Sequence, residues 1–211
     1  MTASVAMLGL VSLTMACGDA PQPTQASRLS GGGTLSPLVG GAPADAPLPV
    51  SLQIAIARQA TARFHDITAA HAAGYATENE PCVASPEGVM GIHAVNFALI
   101  GNQALDLRQP EALLYVPRPE GGHRLVGVEY VQIVLLRDPQ TGAVGPWVSE
   151  APWPPDYEVV TPTPRLFDEV FQGPMPGHTP TMPWHWDLHA WIWSENPAGM
   201  FAEWNRTLRC E

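Results

Sequence analysis

The sequence contains no lysine: all ten of its cationic residues are arginine, against twenty Asp and Glu. Without lysine there is no amine for Schiff-base chemistry, for anchoring pyridoxal phosphate or for a phosphate-binding loop. The formal net charge of -10 has the wrong sign for gripping a phosphate backbone, so we expect no nucleic-acid partner. Composition alone therefore excludes several common classes of enzyme and binding protein.

Cysteine is also scarce, with three residues in 211. The uncharged apolar stretch over residues 4–16 ends at Cys17 in a pattern typical of a bacterial lipoprotein signal. We expect export to the bacterial cell envelope or periplasm and a lipid anchor on Cys17, with a plain membrane anchor as the alternative. Cys82 and Cys210 then form an even pair in an oxidising compartment, and we predict a disulfide between them rather than two buried free thiols.

The chain is predicted to have three parts. Residues 1–17 form the signal peptide, and residues 18–49, rich in Pro, Gly and Ala, cannot bury enough apolar surface to fold and form a flexible tether. Residues 50–211 form one globular domain, for which a 45% hydrophobic content with seven Trp supplies the core.

Hydrophobic periodicity predicts a mixed fold in this domain. Residues 51–74 have helical spacing, and β-rich runs follow at 89–96, 112–116, 124–135 and 184–193, the second and third joined as an antiparallel hairpin. Residues 138–183 are dominated by Pro and Gly and are expected to be irregular, with a helical turn over 166–171. The predicted fold class is α+β: an N-terminal helix packed on a small, mostly antiparallel sheet or partial β-barrel.

The last strand carries polar residues where a buried strand should be apolar. Alternation places His185, Asp187 and His189 on one face of an aromatic run. Burying them together costs several kcal/mol unless each is paired, protonated or metal-bound, so the pattern predicts a site. At roughly 3.3 Å per residue the two His backbones lie about 13 Å apart, which favours one His as a direct ligand and leaves the other as a hydrogen-bonding or pocket residue.

Two further polar residues fall in predicted strands. His93 follows Gly91 by two residues, and a glycine there leaves room for a ligand or for close backbone approach. Glu129 lies in an apolar run in which alternation gives it Leu125, Gly127 and Val131 as neighbours on its face. The structural alternative is a hydrogen-bonded core residue for His93, and an ion pair with arginine or an edge position in water for Glu129. Together with the polar residues of the last strand, the two supply the donor set of zinc, copper and non-haem iron centres.

Methionine has an unusual spacing to histidine. Three of the four methionines beyond the signal have His three residues later, as in Met90/His93, Met175/His178 and Met182/His185. Thioether and imidazole together suit copper, so copper is an alternative to zinc, with iron or manganese open. Methionine that fills gaps in the core is the structural alternative.

Several segments together resemble an uncharacterised group of exported bacterial proteins. They are Met-Gly-Ile-His-x-Val-Asn (90–96), Leu-Val-Gly-Val-Glu-Tyr (125–130), Gly-Pro-Met-Pro-Gly-His (173–178) and His-x-Asp-Leu-His-x-Trp-x-Trp (185–193). The resemblance covers residues 57–210 and implies a self-contained domain. No activity comes with the group, so it assigns no reaction and no catalytic residue.

The leading hypothesis is a metal centre in an exported, lipid-anchored domain that acts as a metal-dependent enzyme on a small molecule. One transition-metal ion, zinc rather than copper, is bound by residues from three strands: His93, Glu129, His185 and His189. Glu129 and Asp187 are the candidate catalytic carboxylates, and His178, Trp191 and Trp193 the candidate substrate pocket. The alternatives are a non-enzymatic lipoprotein with a Trp-lined pocket for a small molecule, a copper-binding protein with Met and His ligands, and a purely structural domain.

Overall fold

A computed structural model describes residues 47–77, 81–178 and 181–211 of the chain. The predicted signal peptide with Cys17, and the predicted tether up to residue 46, lie outside these residues. Within them, the predicted mixture of helix with a mostly antiparallel sheet is confirmed. None of the helices described is both long and apolar enough to cross a membrane.

The helical pattern over residues 51–74 corresponds to three consecutive helical pieces. They are α1 (Val50–Thr61), a 3-10 helix (Ala62–His65) and α2 (Ile67–Ala72). The break lies at Asp66, whose backbone is extended and whose carboxylate accepts a hydrogen bond from the Thr68 N–H at 2.9 Å. Aspartate favours a helix start because its side chain satisfies an N–H group that has no partner in the first turn.

A further helix and eleven short strands complete the regular structure of the described residues. In chain order they are β1 (Val83–Ser85), β2 (Gly88–Val95), α3 (Phe97–Asn102), β3 (Ala112–Pro117), β4 (His123–Ile133), β5 (Leu135–Arg137), β6 (Val144–Pro146), β7 (Glu158–Val159), β8 (Arg165–Leu166), β9 (Glu169–Val170), β10 (Gln172–Met175) and β11 (His185–Ala190). Six strands form a curled antiparallel sheet, a half-barrel with the order β1-β2-β3-β4-β11-β10. The predicted hairpin is the β3–β4 pair, so that prediction is confirmed.

One face of the six-stranded sheet forms the main hydrophobic core. Helical side chains belong to the same cluster, among them Ala57 and Phe64. The hydroxyl of Tyr115 on β3 donates to the Phe64 carbonyl at 2.6 Å, which ties the helical segment to the sheet. Because this face is filled, a site on the sheet has to lie on the opposite face.

A β-bulge in β4 changes which side chains share the face of Glu129. Leu114 of β3 pairs with Gly127, but its neighbour Tyr115 pairs with Leu125, which leaves Val126 as the extra residue. The Leu125 side chain therefore lies in the main core and not beside Glu129. The alternation predicted for Leu125 is wrong, because a bulge reverses the parity of a strand.

The predicted helical turn over residues 166–171 is also wrong. This segment is a β-hairpin of β8 and β9, with Phe167 and Asp168 at its tip at φ values of 55° and 62°. Two successive residues with positive φ make the tight turn whose twist suits antiparallel strands. The Phe167 N–H donates to the Gln53 side chain of α1 at 2.8 Å, and its ring lies in the core.

The predicted disulfide between Cys82 and Cys210 is present, and it joins residues 128 apart in sequence. It fastens the end of the chain to the segment that leads into β1. A loop of this length restricts the unfolded chain strongly, which is the main way such a link stabilises a fold in the chain-entropy model.

Reducing this disulfide should lower the free energy of unfolding by about 4–5 kcal/mol, because the unfolded chain regains the entropy of a long open loop. Urea unfolding with and without dithiothreitol measures the difference. The Cys82→Ser/Cys210→Ser variant is the control, since the reductant should leave its unfolding midpoint in place. Equal midpoints for the oxidised and reduced natural chain would contradict the prediction.

Candidate metal centre

Strand β11 holds three polar side chains in the interior of the protein. His185, Asp187 and His189 are 0%, 1% and 1% exposed. The strand pairs along its whole length with β4, and β10 pairs with its other edge. Regular alternation on β11 directs all three side chains to the face opposite the main core, as the sequence pattern predicts.

Three strands bring a first group of donors together. His189 lies directly across from Glu129 in the β11–β4 register, and His93 comes from β2, on the far side of β3. The residue of β3 that pairs with Glu129 is Ala112, a small side chain that leaves space above the strand. The His93 Nε2 to Glu129 Oε2 distance is 3.6 Å, and one ligand atom from each of the three residues lies within 4.8 Å of the others.

A second group takes two of its three residues from β11. It consists of His185 and Asp187 with His178, an exposed residue that follows β10, and its ligand atoms also lie within 4.8 Å of one another. The sequence predicts His93, Glu129, His185 and His189 around one ion. The structure instead groups His185 with Asp187 and His178, apart from the other three, and either group could hold a metal ion. The reason is the length of an extended strand, which separates His185 from His189 by about 13 Å.

Buried atoms without hydrogen-bond partners are concentrated in these two groups. Within the described residues there are five such side-chain atoms: His93 Nε2, His185 Nε2, Asp187 Oδ1 and both ring nitrogens of His189. Leaving a buried polar group unpaired costs roughly 1–3 kcal/mol, so unpaired groups in a native fold are few. All five are atoms that can bind a cation, and they belong to the two groups that could hold a metal ion.

The surroundings of these groups favour their neutral forms. Burial lowers the pKa of His93 and of His185 to about 4, and it lowers that of His189 to about 3 with the help of the neighbouring imidazoles. Burial raises the pKa of Glu129 well above its usual range, to which the Asp187 charge adds, and raises the pKa of Asp187 to about 7. A cation bound between these side chains would favour the ionised form of both carboxylates, which burial otherwise disfavours. The neutral imidazoles already have lone pairs that could bind it.

A pocket of about 480 Å³ opens onto this face of the sheet. Three donors border it, namely His93, Glu129 and His178. Its other walls are mostly apolar and include Phe97 and Ile100 of α3, Val95, Val131, Ile133 and Met182. A small molecule in this pocket would therefore meet both donor groups while its remaining surface contacts hydrocarbon.

The structure places the predicted pocket residues in different surroundings. His178 borders the pocket beside the donors, but Trp191 and Trp193 line another cavity, of about 670 Å³. The Trp191 ring stacks on His189 with centroids 6.2 Å apart, and it is 1% exposed. The Trp193 indole donates to the Thr61 hydroxyl at 3.1 Å. Trp191 therefore packs against the donor His189, and Trp193 links the segment after β11 to α1.

Sequence reasoning missed two carboxylates near the donors. Glu111 is 1% exposed, accepts a hydrogen bond from the Val131 N–H at 3.0 Å, and has its pKa raised by burial to about 7. Its charge also raises the pKa of Glu129, while that of Glu203 raises the pKa of Asp187. A charged residue directly before a predicted buried strand was the available signal for Glu111. No local pattern marks Glu203, which lies in the loop after β11.

Replacing His189 by leucine should stabilise the metal-free protein by roughly 1–3 kcal/mol, because two buried nitrogens without partners are exchanged for a hydrocarbon of similar size. The same change should remove the part of the zinc-induced rise in melting temperature that depends on the first donor group. Thermal unfolding after chelation, with and without added zinc, measures both effects. His71→Leu, an exposed control, should change neither, and a less stable metal-free His189→Leu protein would contradict the prediction.

No protein-family model matches this sequence, and neither a curated protein nor a solved structure shows significant similarity to it. The comparisons thus supply no activity.

Proposed function

We propose that this protein binds a transition-metal ion through His93, Glu129 and His189, and that this ion acts on a small molecule held in the adjoining pocket. The observation that carries the proposal is the set of five buried atoms without partners, all within the two donor groups. A structural polar network would instead pair these atoms with one another or with the backbone.

The donor set favours zinc. Two imidazoles and one carboxylate are the three protein ligands of several catalytic zinc sites, and zinc adapts readily to the geometry that a protein offers. Copper is the second candidate, because Met182 lines the same pocket and Met175 lies across from His185 in the β10–β11 pair. Iron and manganese accept the same nitrogen and oxygen donors and complete the set to be tested.

Three protein ligands would leave a coordination position open. His93 and Glu129 both border the pocket, so the open position would face it. When bound, such an ion supplies Lewis-acid chemistry, by activating water or by polarising a carbonyl. The protein's own contribution is to fix the donors on three strands, to exclude water from their far side and to orient an apolar substrate against the pocket walls.

We further propose that the mature protein is exported and anchored to a membrane through lipid on Cys17. The disulfide between Cys82 and Cys210 supports an oxidising compartment, where such links persist. The resemblance to exported bacterial proteins agrees with this location.

Metal uptake is the first test of this function. Untagged full-length protein, stripped with a chelator and then incubated with zinc, should retain zinc through gel filtration, as measured by elemental analysis. His93→Ala and Glu129→Gln should each weaken the zinc affinity of the first group by roughly 100-fold or more in competition with a chromophoric chelator. The first change removes a ligand, and the second replaces an anionic ligand by a neutral amide.

His71→Ala is the matched control for metal uptake, since it removes an exposed imidazole outside both groups. The same competition run with Cu(I), Fe(II) and Mn(II) ranks the ions, and the Met182→Leu variant reports a thioether contribution to copper. Natural protein that takes up none of these ions would overturn the proposal.

Turnover is the second test, and it separates an enzyme from a binding protein. With 4-nitrophenyl esters of increasing acyl length as probes of metal-activated water, the rate should rise in proportion to bound zinc. Glu129→Gln should lower that rate by about 100-fold or more under identical zinc concentrations. A zinc-loaded protein that hydrolyses these esters no faster than its metal-free form would contradict the catalytic part of the proposal while leaving metal binding intact.

A further inference from the structure

The second donor group combines two buried side chains of β11 with one exposed side chain from a separate segment. His185 is 0% exposed and Asp187 is 1% exposed, whereas His178 lies at the surface beyond the end of β10. The rings of His178 and His185 meet edge to face with centroids 5.3 Å apart. The group therefore spans two parts of the chain and borders the pocket through His178.

The protonation of the His185 ring is set by the backbone. Its Nδ1 lies 3.1 Å from the Pro183 carbonyl oxygen, which can only accept, so Nδ1 carries the hydrogen. The Nε2 atom then presents a lone pair, and it is buried with no partner in the described chain. A carbonyl that holds one nitrogen of an imidazole while the other is free is the usual arrangement behind a metal-ligating histidine.

Asp187 supplies a second acceptor to the same space. Its Oδ1 atom is buried and has no hydrogen-bond partner among the residues described. An imidazole lone pair and a carboxylate oxygen cannot satisfy each other while both lack a proton. One cation between them satisfies both atoms at once, which no neighbouring donor of the described chain does.

Close backbone packing brings His178 to this position. A Cβ atom on Gly177 would collide with the backbone of Met182, so the backbone at these two residues approaches as only glycine allows. The next residue along from Met182 is Pro183, whose carbonyl orients His185. The residues directly before His178 thus pack against the segment that leads into β11.

We infer that His178, His185 and Asp187 bind a second divalent ion of the zinc class, separate from the ion of the first group. This ion fastens the segment after β10 to β11 and lies at the edge of the same pocket. The two ions are distinct because the ligand atoms of His185 and His189 belong to different groups, on an extended strand that holds their backbones about 13 Å apart. This second site goes beyond the proposed function, and either site could bind its ion without the other.

The test is the zinc stoichiometry of the untagged full chain. Native mass spectrometry and elemental analysis of zinc-loaded protein should give two ions per chain for the natural sequence. His178→Ala should retain one ion, and His93→Ala should also retain one, while the double variant should retain none. Because His178 is exposed, His178→Ala should keep the melting temperature of the metal-free protein unchanged, which excludes misfolding as the cause of its loss.

Local protection provides an independent readout. Zinc should slow hydrogen exchange in residues 172–178 of the natural chain, and His178→Ala should abolish this slowing while leaving zinc-induced protection around His93. The His71→Ala control should bind two ions and behave as the natural chain does.

The zinc stoichiometry of the variants distinguishes the second metal site from the first. A natural chain that binds one ion, lost in His93→Ala and kept in His178→Ala, would overturn the second site and leave the proposed function standing. One ion that is lost in His178→Ala and kept in His93→Ala would overturn the first site instead. Two ions in His178→Ala would show that this histidine is no ligand and would overturn the inference as stated.

Discussion

The pairing of β11 with β4 in a single register is the constraint on which the site depends. This register sets His189 directly across from Glu129 and directs the donor face of β11 away from the filled core. A slip by one residue would exchange the two faces of the strand and bury Trp186 and Leu188 where the donors now lie. The apolar side chains of the opposite face thus fix the polar ones in place, because the core accepts only one alignment.

The donor groups are costly to the fold that holds them. Four side chains contribute buried polar atoms that no described neighbour satisfies. Burial is the main cause that lowers the pKa of the three histidines and raises that of Asp187, so it favours the neutral form of each. Such a cost is tolerated only where the rest of the structure is stable enough to bear it. Here the six-stranded sheet, the tyrosine hydroxyls that bond to the backbone and the disulfide supply that stability.

Much of this arrangement can be predicted from the sequence, because it depends on local alternation. The strands around His93, Glu129 and His185–His189 follow from short β-rich runs, and the polar residues within them stand out against apolar neighbours. The disulfide can be predicted because two cysteines remain beyond Cys17 in a chain expected to be exported. Asp66 and Asn96 are both helix-capping residues. Their local sequence nevertheless continues the helical pattern of residues 51–74 and the strand pattern of residues 89–96, so propensity alone does not locate the two helix starts.

The rest depends on contacts between distant parts of the chain. The order of strands decides that His93 reaches Glu129 across β3, and nothing within β2 or β4 encodes it. The bulge at Val126 is visible only in the pairing with β3, so the parity of Leu125 could not be read from β4 alone. The division of the donors into two groups likewise depends on where the segment carrying His178 returns to the sheet.

The link between Cys82 and Cys210 closes a covalent ring of chain, and all six donor residues lie inside it, whereas α1 and α2 lie outside. When the oxidised chain unfolds, the ring keeps imidazoles and carboxylates within a limited volume, so their effective concentration around one another stays above that of a linear chain. A metal ion bound by these groups would then meet its ligands within the ring before the helices have docked. Such an ion would then act as a template on which the strands of the sheet assemble.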